Sequence, residues 1–580
     1  MRFKYLLTSI VWLLALQLSA KVGALQNTAF LQEPEHVFWH DLTDLPTIKL
    51  HFAEDQWALL LNSKRNDREE VSATFTFIKQ GQEYVLDNIG IKLSGNTSFT
   101  LPESEADAYI QANYTLDFDE FVDDQTLSGI SAMKLKRFKD DSTFVHEPLA
   151  NQIMHNFGIF TAHSSTYVRL EIAVGSRGNQ YVGLYRINES VNRHEYLDKR
   201  FGEDNDAGFL WQGNYKAFGP AMFSRITPDW DGVGDFDDAS FEYKGKGSKF
   251  DEGKAQLVEL AQNFTQLEGV EFEQYVERHI NIPLFLKSLA AEAILGHWDG
   301  FWGNANNYMF YIDENAVLHF IPFDTDNTLG TSLIVADSGE QNPFDFGQSA
   351  NTPLLIEKVF AVPRFKQEYA GYLDALVHTS DLMVEDFAVA WISEAHSLIE
   401  DDLINITHDN EEIIDKPAAW ANQDSYRLFD FDSGKNWYAT RQQAVEFAFT
   451  PPTANAGEDT TVVVGDTMQL NGTNSSDVNG QIVLYEWSNG LTGAVPSISF
   501  DSVQTITLTL TVTDNDGFVA TDDIVISVVA APTPAPDPEP LRVAETGGSL
   551  PISGLLLLLM IAMGKRQSWS PIGVKGEIIR

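Results

Sequence analysis

The stretch HWDGFWGNANNYMFY (residues 297–311) is followed at a short distance by IPFDTDNTLG (residues 321–330). Within the first segment a single carboxylate, Asp299, precedes a cluster of asparagines. Between the two segments a short apolar run predicts a strand, and this strand leads directly to a pair of carboxylates, Asp324 and Asp326. The pattern predicts a loop that carries an acid and several amides, next to a strand that ends in acidic residues.

The residues before this stretch predict the helix that positions it. Between Asn281 and Leu295 apolar side chains recur at helical spacing, with Asn281 as a candidate N-cap and Pro283 in the first turn. An isolated acid, an amide and acids at a strand end are the groups that a kinase-type site requires. One group orients or deprotonates the acceptor hydroxyl, and the others supply oxygen ligands for magnesium on the phosphates. The sequence therefore favours a phosphoryl-transfer enzyme.

Composition limits the classes of protein to which the chain can belong. Its 580 residues suffice for two or three domains, and its formal net charge is -44, from 83 acidic and 39 basic residues. So negative a chain disfavours nucleic acid or an anionic membrane surface as a partner. The chain has no cysteine, which excludes disulfides and thiolate zinc sites, so its hydrophobic residues (43%) must supply a core.

Both ends of the chain carry processing signals. Residues 1–24 show two basic residues, an apolar run and small residues, the pattern of a secretory signal peptide. Residues 547–566 combine a glycine pair, an apolar run too short for a stable span and a basic stop, followed by the tail 567–580. This segment resembles the GlyGly-CTERM sorting signal of Gram-negative bacteria, and the alternative is a plain C-terminal anchor. We expect export to the cell surface or medium, transient membrane contact and removal of the segment by an intramembrane protease.

Residues 25–450 lack a proline- or serine-rich break and are predicted to form one α+β unit. Period-two alternation predicts an antiparallel sheet, and helical spacing predicts helices later in the chain. The predicted strands are 47–52, 71–78, 89–95, 114–121, 133–138, 165–174 and 181–187. The predicted helices are 147–157, 251–280, 281–295 and most of 352–403. A sheet-rich first half followed by a helical second half is the layout of a two-lobed, protein-kinase-like domain.

Residues 451–530 differ in character from the preceding part and predict an all-β sandwich. Short strands are predicted at 460–465, 467–472, 481–487, 505–514 and 522–529. The segments PTANAGEDTTVVVGDTMQLNG and LTVTDNDGFVATDDIVISV resemble the PKD domain, an immunoglobulin-like module, with Trp487 as its core tryptophan. Asp477, Asn479 and Asp514 could form a calcium site or a solvated loop. Residues 531–546 follow as a proline-rich linker.

The large domain resembles the CotH family, the spore-coat-protein-H-like atypical kinases. Five segments in the same order carry this resemblance: 91–99, 139–161, 182–202, 304–330 and 351–373. The resemblance implies a kinase-like fold, ATP with Mg²⁺ or Mn²⁺ as cofactors, and phosphorylation of secreted proteins. One departure lies before the strand 114–121, where the family often has a lysine and this chain has Ala112, Asn113 and Thr115.

The resemblance also assigns roles to individual residues of the catalytic stretch. Asp299 corresponds to the catalytic aspartate that engages the acceptor, with capping of the turn after the helix as the alternative. Asn307 corresponds to a metal ligand, and neighbouring asparagines compete with it for this role. Asp324, Asp326 or both would bind metal; their alternative role is an Asx turn that closes the strand.

Candidate nucleotide-binding residues lie in the sheet-rich first half of the sequence. The small-residue turn SGNTS (residues 94–98) could cover phosphates with backbone N–H groups. A strand lysine paired with a helix glutamate is the arrangement that positions the α- and β-phosphates in kinases, which favours Lys136 over Lys134 as the partner of Glu147. Glu189, at the end of a strand before a potential hinge, could contact the nucleotide. The complete set is Gly95, Asn96, Ser98, Lys134, Lys136, Glu147 and Glu189.

Two functions are compatible with these features. The first is a secreted or surface protein kinase that transfers the γ-phosphate of ATP to Ser or Thr of extracytoplasmic proteins in a metal-dependent reaction. The alternative is a non-catalytic cell-surface adhesion or matrix protein that retains the kinase-like fold. The PKD module favours the alternative, whereas the complete set of acids and amides at 299–326 disfavours it, because a pure binding protein does not need that set.

Overall fold

The computed structural model describes residues 28–533, except 106, 203–207, 334–337, 348–351, 419, 422–425 and 430–435. The signal peptide, most of the proline-rich linker and the C-terminal sorting segment, all expected from the sequence, lie outside the described residues. Among the helices of the described part, none has the length and apolar character needed to cross a membrane.

Seven strands of the first part close into a barrel in the order β1-β2-β3-β4-β5-β7-β6. In chain order the elements are α1 (Pro34–His40), β1 (Thr47–Phe52), α2 (Glu54–Leu60), β2 (Glu70–Lys79), β3 (Gln82–Ser94), β4 (Asn113–Asp117), β5 (Ala132–Arg137), α3 (His146–Asn156), β6 (Ser165–Val174) and β7 (Gln180–Glu189). Side chains of β2 alternate between buried and partly exposed along its whole length, so one face of the strand lines the barrel core.

The sequence predicted an antiparallel sheet, but the structure shows a closed barrel that contains one parallel strand pair. Five of the seven strands lie within two residues of their predicted bounds, whereas β3 begins at Gln82 instead of residue 89 and β4 ends at Asp117 instead of residue 121. Strand β1 pairs with β6 in parallel, Thr47 opposite Arg169, and this pair closes the barrel. Alternation along one strand reports which side chains face the core, and it carries no information on which distant strand becomes the neighbour. Closure was therefore not predictable from the pattern.

The second part combines a five-stranded sheet, in the order β12-β11-β8-β10-β9, with nine helices among its described residues. Its elements are α4 (His194–Phe201), β8 (Phe209–Gly213), β9 (Val233–Gly234), β10 (Phe241–Tyr243), α5 (Phe250–Gln266), α6 (Gly269–His279), α7 (Ile282–Leu295), α8 (Phe301–Asn304), β11 (Tyr308–Ile312), β12 (Leu318–Pro322), α9 (Leu354–Phe360), α10 (Pro363–Asp374), α11 (Glu385–Ile399) and α12 (Trp437–Ala448). A π-helical turn (Ala375–Thr379) follows α10, and short 3-10 helices cover Ala29–Gln32, Phe223–Arg225, Gly247–Lys249 and Glu400–Asp402.

Two details of this part differ from the sequence prediction. The helix expected over 251–280 is divided into α5 and α6, because the chain is extended at Leu267 and Glu268. Strands β8, β9, β10 and β11 were not predicted, since runs of two to five residues are too short to show a period. The predicted N-cap is confirmed: the Asn281 side chain accepts a hydrogen bond from the backbone N–H of Leu284 at 3.3 Å.

Separate hydrophobic cores fill the barrel and the helical part. Strands β1–β7 enclose the first core. The second core is built around α7, in which every residue except Pro283 is buried, together with β11 and the surrounding helices. The segment that carries Asp299 follows α7 directly, so this catalytic candidate is attached to the most buried helix of the second core.

The C-terminal part is the expected all-β sandwich. Its strands are β13 (Thr460–Val463), β14 (Thr467–Gln469), β15 (Ile482–Trp487), β16 (Ser497–Ser499), β17 (Gln504–Asp514) and β18 (Val519–Val529). Four of them form the sheet β13-β18-β17-β15, and β14 pairs with β16. Trp487 is 3% exposed within the core between the sheets, as the sequence predicted.

Candidate active site

Asp299 is held in place by three asparagine side chains. Asn304 and Asn306 donate to Asp299 Oδ1 at 2.8 and 3.1 Å, and Asn307 donates to Oδ2 at 2.9 Å. Burial raises the pKa of Asp299 to about 6, although the three amides work in the opposite direction. A carboxylate fixed by neutral donors, with a pKa near neutrality, is suited to accept a proton.

The backbone around Asp299 is shaped by local signals. Helix α7 ends at Gly296 in the left-handed conformation (φ 68°), as glycine favours. Ala305 and Asn307 also have positive φ, 47° and 46°, which turns the chain sharply between α8 and β11. These turns bring the side chains of residues 304–307 back over Asp299.

Glu292, a buried carboxyl of α7, binds the backbone of the loop that follows Asp299. Glu292 is fully buried and accepts hydrogen bonds from the N–H groups of Phe301 (3.4 Å) and Trp302 (3.1 Å), at the start of α8. Since α8 begins two residues after Asp299, these hydrogen bonds let Glu292 position the loop that carries Asp299.

Replacement of Glu292 by Gln should change how stability depends on pH. Burial raises the pKa of Glu292 to about 8, above the ordinary value of about 4.3. The folded protein therefore retains a proton that the unfolded chain releases, so stability present at acid pH is lost as pH rises through about 8. A glutamine at position 292 does not titrate, so the variant avoids this loss of stability. Its melting temperature minus that of the wild type should therefore rise by a few degrees between about pH 5 and about pH 8.5. Parallel melting curves across this range would contradict the assignment.

The strand-end acids reach the site through the hairpin β11–β12. Tyr308 pairs with Pro322, so the residues after β12 lie beside the start of β11. Asp324 has a positive φ of 55°, and its charge contributes to the raised pKa of Asp299. Carboxylate oxygens of Glu147, Asp324 and Asp326 all lie within 4.8 Å of one another.

The two strand-end acids differ in electrostatic environment. Burial alone would raise the pKa of Asp324, but Lys136 and Arg186 together outweigh this effect, and the pKa lies below its usual value. Burial and the charge of Asp324 raise the pKa of Asp326 to about 7. A third carboxylate of the group, Glu147, has a pKa far below its usual value despite burial, because Arg186 and Lys136 lie beside it.

Two cations on neighbouring barrel strands neutralise this acidic cluster. Lys136 of β5 lies directly opposite Arg186 of β7. The Lys136 ammonium contacts Asp324 and lies 3.9 Å from Glu147 Oε1. Arg186 forms an ion pair with Glu147, its Nε 2.5 Å from Oε2, and donates to Asp326 Oδ2 at 3.0 Å. The predicted pairing of a strand lysine with Glu147 is thus present, and it extends into the strand-end acids.

Glu147 is the fully buried centre of the network. It lies in the first turn of α3, and its Oε1 contacts His163 Nε2 at 3.1 Å and accepts from Asn188 Nδ2 at 2.9 Å. Burying an unpaired carboxylate is costly, whereas Glu147 has cations on one side and polar partners on the other. The network connects α3, two barrel strands and the segment after β12 into one rigid unit.

Lys134 shares the strand face of Lys136 but has a different environment. Its ammonium lies 5.0 Å from the ring centroid of Phe323. Burial lowers the pKa of Lys134 to about 8, and the nearby charge of Lys136 acts in the same direction, while the charge of Glu242 opposes it. Lys134 therefore has less compensating negative charge around it than Lys136, and it could interact with an anion.

The small-residue turn lies next to the far end of β5. Gly95 has φ 96°, and its carbonyl oxygen accepts from Arg68 at 2.6 Å. Ser98 Oγ accepts from Asn113 Nδ2 at 3.0 Å, and Asn113 Oδ1 accepts from the N–H of Arg137 at 2.9 Å. Asn113, which lies where the family often has a lysine, thus connects the turn to the residue after Lys136. In the same turn the carbonyl oxygen of Asn96 accepts from the N–H of Phe99 at 3.3 Å.

Glu189 is engaged in a different ion pair. It accepts two hydrogen bonds from Arg200 of α4, at 2.8 and 2.6 Å, and one from the N–H of Ser164 at 3.0 Å. Although burial alone would raise the pKa of Glu189, Arg200 keeps it far below its ordinary value. The side chain connects the end of β7 to α4, and the contacts of the described residues do not join it to the network around Glu147.

Sequence reasoning missed Arg186, His163 and Asn188. The available signal was a charged residue inside the otherwise apolar strand 181–187: an arginine there must find an acid when it is buried. The identity of that acid was not visible, because Glu147 and Asp326 are distant in the chain.

The calcium candidates of the sandwich lie together at one end of it. Asp514 Oδ1 accepts from the N–H groups of Asp516 (2.8 Å) and Phe518 (2.9 Å), and Asp477 Oδ1 accepts from the N–H of Asn479 at 3.3 Å. Asp514 Oδ2 and Asn479 Oδ1 are buried and have no hydrogen-bond partner among the described residues. Burial raises the pKa of Asp514, and the charge of Asp477 adds to the rise.

Two models of known protein families match most of the chain. A family model described as "CotH kinase protein" matches residues 94–448, and one described as "PKD domain" matches residues 449–528. The resemblances to the CotH family and to the PKD domain are thereby confirmed.

Curated relatives are fungal and distant. "Invasin CotH3" of Rhizopus delemar is 22% identical over 291 residues, which are 50% of this chain and 45% of that protein. "Spore coat protein homolog 1" of the same organism is 24% identical over 262 residues, 44% of this chain and 39% of the relative. The chain therefore spans less than half the length of these relatives. Among solved structures, the PKD1 domain from Vibrio cholerae metalloprotease PrtV is 35% identical, with 14% of this chain and 98% of that chain covered and a TM-score of 0.12.

Proposed function

Because the chain belongs to the CotH kinase protein family and carries a PKD domain after the family domain, we propose that it is a metal-dependent protein kinase. It transfers the γ-phosphate of ATP to Ser or Thr of extracytoplasmic proteins. The observation that carries the proposal is the Lys136–Glu147 pair, with Asp324 in contact with Lys136 and close enough to the amide-bound Asp299 for its charge to raise the pKa of that carboxyl. A binding protein has no need of this combination.

In this proposal the nucleotide lies between two lobes, the barrel and the helical part. The separate hydrophobic cores of these two parts support a two-lobed arrangement. Lys136, Lys134 and the turn that carries Gly95, Asn96 and Ser98 are all attached to the barrel, where they would contact phosphates. Asp299, Asn307 and the strand-end acids belong to the other lobe and would face the γ-phosphate.

The acids fit a hard divalent cation. Asp324 and Asp326 offer oxygens next to Glu147, and carboxylate and amide oxygens are the ligands of Mg²⁺ and Mn²⁺. Asn307 uses its amide nitrogen for Asp299, so its oxygen is the atom left for a metal. The bound cation would supply charge neutralisation on the phosphates. Glu147 is already paired with two cations and serves to hold Lys136.

Asp299 would act on the acceptor. The Ser or Thr hydroxyl oxygen forms a bond to the γ-phosphorus while the bond between that phosphorus and the β–γ bridging oxygen breaks, and ADP leaves. The proton of the hydroxyl passes to Asp299, whose pKa of about 6 leaves it mostly ionised at neutral pH. The three asparagine donors hold this carboxylate in the orientation that accepts the proton.

The decisive experiment is incubation of the mature protein with radiolabelled ATP, Mg²⁺ or Mn²⁺, and casein or proteins secreted by its host. Phosphate on Ser or Thr of the added proteins is the expected result. ATP binding without transfer to any protein, including the chain itself, would favour the adhesion or matrix function instead. A secreted or surface location, which the N-terminal signal pattern favours, belongs to the same proposal and would be tested by fractionation of the host.

The sandwich would hold one calcium ion. Asp477, Asn479 and Asp514 supply oxygens, two of which are buried without a hydrogen-bond partner among the described residues. Millimolar Ca²⁺ should therefore raise the melting temperature of the wild-type protein, and Asp514→Asn should remove this effect because a charged ligand is lost. The same shift with Mg²⁺, or a shift that persists in Asp514→Asn, would refute the site.

A further inference from the structure

The PKD domain contributes an aromatic side chain to the core of the preceding domain. Phe518, in the turn between β17 and β18, packs against the hydrophobic cluster of the helical part and is absent from the core of its own sandwich. Its ring centroid lies 5.4 Å from that of Phe449 and 5.9 Å from that of Phe344. A turn of one domain thus completes the packing of the other.

Polar contacts hold the same turn against helix α10. The Lys366 ammonium donates to the carbonyl oxygen of Asn515 and to Asp516 Oδ1, the latter at 3.2 Å, and it lies 5.8 Å from the ring centroid of Phe344. The Asp516 side chain is only 4% exposed, so this ion pair is shielded from solvent.

A second contact fixes the sandwich at the end of helix α12. Asn479 Nδ2 donates to the carbonyl oxygens of Phe447 and Ala448, both at 3.0 Å. The two domains are therefore joined by aromatic packing, a shielded ion pair and a side chain that binds the last carbonyls of the connecting helix. Such a combination opposes the free relative motion that is usual for domains joined by a linker.

Packed rings continue from this interface to the loop that carries Asp299. The ring centroid of Phe344 lies 5.9 Å from that of Tyr369, which lies 5.8 Å from that of Trp302. Gly347 has φ 79° and touches the backbone of Trp302 so closely that a Cβ there would lie 2.5 Å from its carbonyl oxygen. Trp302 follows Asp299 by three positions and belongs to α8.

We propose that the PKD domain is a structural part of the catalytic unit. Its turn 514–518 holds the segment 341–347 against Trp302, and Phe518 acts as a positioning residue for the loop that presents Asp299. The physical basis is that closely packed interiors have few voids and transmit displacements from one side chain to the next. An effect on turnover rests on the proposed kinase activity, whereas the mechanical coupling does not.

The test is Phe518→Ala in the full mature chain, followed by amide hydrogen exchange. Exchange in residues 299–307 and 341–347 should accelerate several-fold, because the contact that restrains both segments is lost. Exchange in β2 (Glu70–Lys79), within the barrel, should stay unchanged. The control is Val503→Ala on the same domain, since Val503 is 64% exposed and away from these contacts; it should alter neither region.

Two further variants keep the result interpretable. Phe518→Leu retains apolar bulk and should restore most of the protection. Asp516→Asn removes only the charge that pairs with Lys366, and it serves if Phe518→Ala does not fold. Unchanged exchange in 299–307 in folded Phe518→Ala, or in Asp516→Asn where that variant replaces it, would overturn the proposal.

Kinetics separate this proposal from the kinase assignment. In an active enzyme, Phe518→Ala should lower kcat several-fold with little change in the KM for ATP, because the nucleotide residues are attached to the barrel. If the protein transfers no phosphate at all, the exchange experiment still decides whether the domains are coupled. Coupling without catalysis would refute the proposed function alone.

Discussion

Asp299→Asn is expected to lower kcat for phosphoryl transfer by about 10²–10⁴-fold, the range that a positioned general base contributes. The amide cannot accept the hydroxyl proton, and its nitrogen would face another donor, either the amide of Asn307 or the amides of Asn304 and Asn306. Binding of metal–ATP should persist, because the strand-end acids and Lys136 are unchanged. Radiolabel transfer measures the first effect, and thermal stabilisation by ATP with Mg²⁺ measures the second.

A matched variant shows whether this loss is specific. Asp251→Asn makes the same chemical change at an exposed position in the first turn of α5, and it should transfer phosphate at the wild-type rate. Wild-type turnover in Asp299→Asn would show that the catalytic base has been assigned to the wrong residue.

Asp324→Asn is expected to abolish metal-dependent nucleotide binding. The substitution removes a candidate metal ligand and also the closest acidic partner of Lys136, whose pKa of about 12 depends on Asp324 and Glu147 against the effect of burial. Wild-type protein should be stabilised by ATP with Mg²⁺ or Mn²⁺, and excess EDTA should remove that stabilisation, since every proposed ligand is a hard oxygen. In the presence of metal, ATP should stabilise Asp324→Asn no more than it stabilises the wild type in excess EDTA.

Asp326→Asn distinguishes the two acids. If Asp326 is the stronger ligand, its variant will lose ATP stabilisation while Asp324→Asn keeps it. Equal stabilisation of wild type with and without chelator would refute the metal site as a whole, whichever acid is involved.

The parts of the site that were predictable from sequence are those that depend on near neighbours. The Asn281 cap, helix α7 and the acid-and-amide loop after it lie within about two dozen consecutive positions, and helix signals act over such distances. The strand β12, which ends before Asp324, is likewise a local signal, whereas its pairing with β11 was not predicted. The family resemblance then supplied roles that spacing alone did not.

The electrostatic partners were not predictable, because they meet only in the folded chain. Lys136 and Asp324 are 188 positions apart, and Arg186 and Asp326 are 140 positions apart. Glu189 is a second case in which sequence position did not reveal the partner. Its position suggested a contact with nucleotide at a hinge, whereas the fold pairs it with Arg200. A charged residue in a buried strand indicates that an oppositely charged or polar partner must exist, but it does not identify that partner.

The sequence by itself determined the order of domains, most strands of the barrel and sandwich, helix α7 and the run of acids and amides from Asp299 to Asp326. The tertiary structure alone decided that β1 meets β6 to close the barrel, that Glu147 draws Lys136 and Arg186 into one network, and that Phe518 packs into the preceding domain. The physical reason is that periodicity records the burial of a face, which neighbouring residues share. Packing and charge across the whole molecule select the surface against which that face packs. No single stretch of sequence contains this information.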